Sequence, residues 1–114
     1  MTEQEIRRRL IKSHATLFQA NHYPYSRIMQ IVKATFNDFK TAYCIKCVPE
    51  QGEDIFTLLV DTYDIIEMEI SHDCSVEAQV LEISSVKKYM IGKSKADQIR
   101  LEVALDLAKK GGQS

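Results

Sequence analysis

At 114 residues, with 45% apolar side chains and only four glycines and two prolines, the chain has the size and composition of one ordered globular domain. That composition excludes a disordered tail protein and a low-complexity linker, and no internal repeat is evident in the sequence. The net charge of −1 excludes a strongly basic nucleic-acid binder.

The first segment, MTEQEIRRRL, is charged and lacks the apolar centre of a signal peptide. Thr2-x-x-Glu5 has the form of a capping box. Ile6, Leu10, Leu17 and Phe18 recur at helical spacing, so a helix is expected over residues 3–20, ended by Asn21 and Pro24. Residues 27–36, RIMQIVKATF, fit two patterns. Ile28, Val32 and Phe36 suit a helix, but the β-branched content and the Asn37-Asp38 pair favour a strand leading into a hairpin.

From Phe39 the alternation is clear. Phe39, Thr41, Tyr43, Ile45 and Cys47 mark one strand face, and Pro49–Glu53 is a turn cluster. Residues 54–61 make a second strand, with Phe56, Leu58 and Val60 on one side. In residues 65–70, IIEMEI, Ile66, Met68 and Ile70 point one way and Glu67 and Glu69 the other. Residues 71–75 read as a loop and 76–86 as a further strand. Ser94 with Asp97 starts a closing helix over about 95–110, with Ala96, Ile99, Val103, Ala104 and Leu107 on its apolar face and Gly111 as its stop.

The fold class is therefore α+β. A four- to five-stranded antiparallel meander is flanked by an N-terminal and a C-terminal helix, in the order α-β-β-β-β-(β)-α, with both helices expected on one sheet face. One domain spans residues 1–114, with 111–114 expected to fray. The longest apolar stretch, near 55–60, is too short to cross a bilayer. Three cysteines cannot complete a disulfide framework within one chain, so free thiols and a cytoplasmic location are expected.

Charge is unevenly laid out. Between Cys47 and Val86 there are ten acids and no Lys or Arg. Residues 1–46 hold eight basic and three acidic residues, a net of +5, and residues 87–114 hold seven and three, a net of +4. A nearly neutral total hides an acidic middle between two basic ends.

Few spacings carry chemistry. Cys44-x-x-Cys47 with His72-x-Cys74 has the residue types of a tetrahedral zinc site. Residues three apart on a regular strand face opposite sides, so no metal and no other cofactor is expected there. A thioredoxin-like use of the pair would need a helix starting at its first cysteine. His14 lies at the edge of the first helix's apolar face, where a half-buried structural histidine is the simplest reading. His22, Tyr23, Tyr25 and His72 are candidates for the mouth of a pocket between helices and sheet. Glycine-rich phosphate loops, nucleophile elbows and zinc-protease motifs are all missing from the sequence. No catalytic residue is assigned and no enzyme is expected. Arg7-Arg8-Arg9 with Lys12 lacks the interleaved aromatics of a single-strand binder, so it reads as a solvated helix face.

The leading expectation is a non-catalytic interaction domain whose acidic sheet face meets a basic protein partner. This is the logic of toxin-neutralising immunity and antitoxin proteins, where complementary charge speeds capture of a basic nuclease. The residues expected to bind the partner are Asp61, Asp64, Glu67, Glu69, Asp73 and Glu77. The alternative is a small-molecule-binding domain or small enzyme with a pocket between helices and sheet. The weaker alternative is a nucleic-acid binder using the basic ends. No membrane partner is expected, and self-association stays open.

Overall fold

The Thr2 hydroxyl accepts from the Glu5 amide, as the capping box requires, and starts α1, Glu3–Phe18. In the computed structural model, which describes residues 1–111, α1 is followed by α2 (Tyr25–Thr35), β1 (Ala42–Pro49), β2 (Glu53–Val60), β3 (Asp64–Ser71), β4 (Gln79–Ser85), α3 (Val86–Met90) and α4 (Lys95–Lys109). The expected frayed tail lies outside the described residues except for Gly111. That glycine takes a φ of 68° just past α4 and donates its amide to Ala108, a left-handed helix stop. Ser94 caps the start of α4 by accepting from the Asp97 amide.

The sheet is a four-stranded antiparallel meander in the order β1-β2-β3-β4, and the class is α+β with helices before and after it. Of residues 27–36, expected as a strand, all but Phe36 are helical, and Phe36 is the extended residue that ends α2. Ile28, Met29 and Val32 form one buried stripe, and burial of that stripe against the sheet overrides the β-branched preference. The last strand begins at Gln79, three residues later than expected. The short α3, capped by Ser85, fills the connection to α4.

The helices do not share one face. Leu58 and Leu59 are both fully buried because β2 is covered on both sides. Phe56, Leu58, Val60, Ile66, Met68 and Ile70 pack with Ile28, Met29 and Val32 of α2. Leu59, Ile65, Tyr43 and Ile45 pack with Leu101, Ala104 and Leu107 of α4. Helix α1 joins both layers, with Ile6 and Leu10 in the α4 layer and Leu17 in the α2 layer. It therefore lies across the outer edge of β1. The Ser13 hydroxyl accepts from the Cys44 amide at 3.2 Å and donates to the Leu10 carbonyl, so the helix satisfies part of that strand's free edge. Arg7 ties α1 to α4 through Asp106 at 2.8 Å, and the same contact holds the Asp106 carboxyl below its ordinary range. Among the described residues, no helix is long and apolar enough to cross a membrane.

His14 is half-buried, stacked on Phe18 at 4.3 Å and tilted against Tyr43 at 5.0 Å, and its Nε2 is buried with no hydrogen-bond partner. Burial lowers its pKa, partly offset by the Lys40 backbone carbonyl. Below the ordinary histidine value of about 6.5 the unfolded chain takes up a proton that the folded chain resists. Stability should thus fall as pH drops from 7.5 to 5. His14→Phe should show a smaller fall in its urea midpoint over that range, and equal falls in the two proteins would contradict this.

Candidate functional site

A β-bulge decides how the first strand presents its thiols. Cys44 pairs with Leu58, but Lys46 pairs with Thr57 and Cys47 with Phe56, so Ile45 is the extra residue. The bulge shifts the alternation by one. Cys44 and Cys47 consequently lie on the same face, the one covered by α2, and not on opposite faces as a regular strand would place them. His72 and Cys74 lie elsewhere, at the end of β3 and in the loop to β4. The four zinc candidates are not brought together, and among the described residues no group of three His, Cys, Asp or Glu side chains gathers as metal ligands do.

The Cys44 thiol is pushed up to about 12, first by burial and then by neighbouring Cys47. Its thiolate is therefore scarce at neutral pH. Burial, then the Asp54 carboxylate, also raises Cys47, although that residue, like Cys74, is exposed. Iodoacetamide at pH 7.5 should alkylate Cys74 in the native protein much faster than Cys44, whose thiolate is scarce. Peptide mapping that finds Cys44 modified as fast as Cys74 would contradict this.

The pocket candidates also separate. The Tyr23 hydroxyl donates to the Ser71 carbonyl. With His72 it lines a small cavity of about 210 Å³, where His72 Nε2 lies 3.1 Å from Asp54. Tyr25 opens α2 and borders a different cavity. His22 is exposed, its Nδ1 3.0 Å from the Asn21 side-chain oxygen.

The six acidic candidates do not form one patch. Asp61 stands in the β2–β3 turn at a φ of 52°, and its carboxylate accepts from the Lys40 and Thr41 amides at 2.8 and 3.0 Å. It is committed to closing that end of the sheet. Asp64 shares its strand face with Ile66, Met68 and Ile70, away from Glu67 and Glu69. Asp73 accepts from the Ser75 amide and hydroxyl in the β3–β4 loop, which also holds the exposed Glu77.

Glu67 and Glu69 do stay together, opposite Ile66, Met68 and Ile70 as expected. Both are half-buried on the α4 side of the sheet. Helix α4 lies over β1 and β2, and α3 covers the other end of β3, so these glutamates occupy the open part of that face. Register adds a residue the sequence had not singled out. Glu82 on β4 pairs directly with Glu67, and Gln79 pairs with Glu69. Glu67 accepts a long hydrogen bond of 3.5 Å from the Thr57 hydroxyl. Burial, then the Asp97 and Glu67 carboxylates, raise the pKa of Tyr89 at the end of this row. Asp97 is itself paired with Lys46 at 3.3 Å and Arg100 at 3.5 Å. Glu67, Glu69 and Glu82 have no ion-pair partner among the described residues.

No known family, curated protein or solved structure matches the chain. The reading of its function therefore rests on its own geometry.

That geometry is asymmetric at the sheet edges. The β1 edge lies under α1, whereas β4 is the last strand of the sheet among the described residues. Its two faces differ. Val80 and Ile83, paired with Met68 and Ile66, carry the α2-side apolar layer outward and are 44% and 47% exposed. Glu82 and Gln79 carry the acidic row outward on the other side. A bulge leaves Leu81 unpaired between them, 43% exposed. The strand expected over residues 76–86 does not by itself say how much of it the helices leave open.

Proposed function

We propose that this chain is a non-catalytic interaction domain that takes a basic protein partner along the open β4 edge. The observation that carries the reading is the β4 strand itself. Unpaired backbone groups, exposed Val80, Leu81 and Ile83 on one side, and Glu69 with Glu82 on the other make a template for an added strand. Backbone hydrogen bonds would supply register and alternate side chains would supply specificity. The partner segment this edge fits is extended, with apolar residues alternating with Lys or Arg.

A second observation supports the charge requirement. Glu67 and Glu82 sit directly opposite each other, and like charges in that position destabilise a sheet. Neither is neutralised within the described chain. A basic segment lying beside them would relieve that repulsion. In its finer form the reading is a toxin-neutralising immunity or antitoxin protein, whose basic nuclease partner would be caught by the same field.

The test uses two synthetic octapeptides, one alternating Val and Lys, the other Val and Glu. The Val-Lys peptide should bind one to one and slow hydrogen exchange at β4 amides. The Val-Glu peptide should not bind. Val80→Lys with Ile83→Lys, both at exposed positions, should remove binding of the Val-Lys peptide while the fold persists. Equal binding of the two peptides, or protection confined to other elements, would defeat the proposal.

A further inference from the structure

A cavity of about 300 Å³ lies at the opposite edge of the sheet, between α1, α2 and the β1–β2 ladder. Its floor is apolar, formed by Leu17, Ile28, Phe56 and Leu58, all buried. Its mouth is set by one stripe of α1: Arg9, Lys12 and Thr16, at helical spacing. No acidic residue lines it, in a chain with sixteen of them. Arg7 next door is engaged by Asp106 and Glu3, but Arg9 and Lys12 make no ion pair among the described residues.

We propose that this cavity is a binding site for an organic carboxylate with an apolar body, its carboxylate held by Arg9 and Lys12 and its body lying on Leu17, Ile28, Phe56 and Leu58. The chemistry on each side decides the class. An inorganic anion would satisfy the two cations but leave the apolar floor wet. A neutral hydrocarbon would fill the floor but leave the cations unpaired. A pocket with an apolar interior and a few placed polar groups takes a molecule divided in the same way. Taking about 30 Å³ per water-sized group, about 300 Å³ has room for about ten such groups, the size of a medium-chain fatty acid. The bulge at Ile45 contributes by turning Cys44 and Cys47 to this side, where both line the cavity as small apolar walls. The site is separate from the β4 edge, so the two proposals fail independently.

Decanoate, below its micelle concentration, is the probe, with decanol, decylammonium and acetate as comparisons, titrated into the full chain by calorimetry. Decanoate should bind one to one, and at least about tenfold more tightly than decanol, because the charge-assisted contacts are lost with the carboxylate. Acetate and decylammonium should not saturate. Arg9→Gln with Lys12→Gln changes only exposed positions and should weaken decanoate at least about tenfold without changing the circular dichroism. Thr16→Trp, which plugs the mouth, should abolish binding. Unsaturable decanoate, decanol binding as tightly as decanoate, or an unchanged affinity in the double variant would each overturn the proposal.

Discussion

Leu10→Ala and Leu107→Ala should each lower the unfolding free energy by about 2–5 kcal/mol, the range for truncating a buried leucine. Both side chains are nearly fully buried in the layer that joins α1, α4 and the sheet, at 4% and 6% exposure. Leu10 also belongs to the helix that closes the β1 edge, so its loss loosens the contact that Ser13 makes with Cys44. The two leucines share one cluster, so their effects should not be strictly additive. Urea unfolding of the two single variants and the double variant checks this. A loss below about 0.5 kcal/mol, typical of surface positions, would mean that the helices do not hold this layer.

The second large effect concerns the acidic row, where stability and binding should move in opposite directions. Glu82→Lys replaces a like-charge cross-strand pair with Glu67 by an opposite-charge one. It should raise stability by about 0.2–1 kcal/mol. The same change removes one of the three glutamates offered to a basic partner, and Glu69→Lys removes a second. The double variant should fold at least as well as the parent and bind the Val-Lys peptide far more slowly. A site whose residues are retained against stability is the usual form of a functional surface. Were Glu82→Lys to destabilise the fold, the glutamate would be structural and the argument for the row would fail.

Several of these features could be read in the sequence, and the reasons are local. Thr2-x-x-Glu5 and Ser94-x-x-Asp97 place their caps within three residues, and both caps form. Ile66, Met68 and Ile70 alternate strictly with Glu67 and Glu69, and the strand keeps that alternation without a bulge against β2. What depended on a partner element could not be read. Residues 27–36 carry both periods, and only the sheet beneath Ile28 and Val32 selects the helix. The bulge at Ile45 exists only in the pairing of β1 with β2, so the facing of Cys44 and Cys47 was legible only after that register was known. The two-sided cover of the sheet did have a signal. The run from Ile55 to Val60, apolar except for Thr57, lacks the wet face of a one-sided strand, and Thr57, Leu58 and Leu59 are all buried. The pairing of Glu82 with Glu67 links residues fifteen apart through a loop of irregular length, and no local pattern announces it.

On the proposed function, long-range attraction to the acidic row draws a basic segment onto the β4 edge. Stopped-flow association of the Val-Lys peptide, at roughly 0.02 and 0.5 M salt, tests it most directly, because the screening length falls from about 20 Å to about 4 Å across that range. For the parent chain, association should be fast at low salt and slow markedly at high salt. For Glu69→Lys with Glu82→Lys, association should be slow at low salt and much less sensitive to salt. If parent and variant associate equally fast at both salt concentrations, the acidic row is only solvated surface and the claim is wrong.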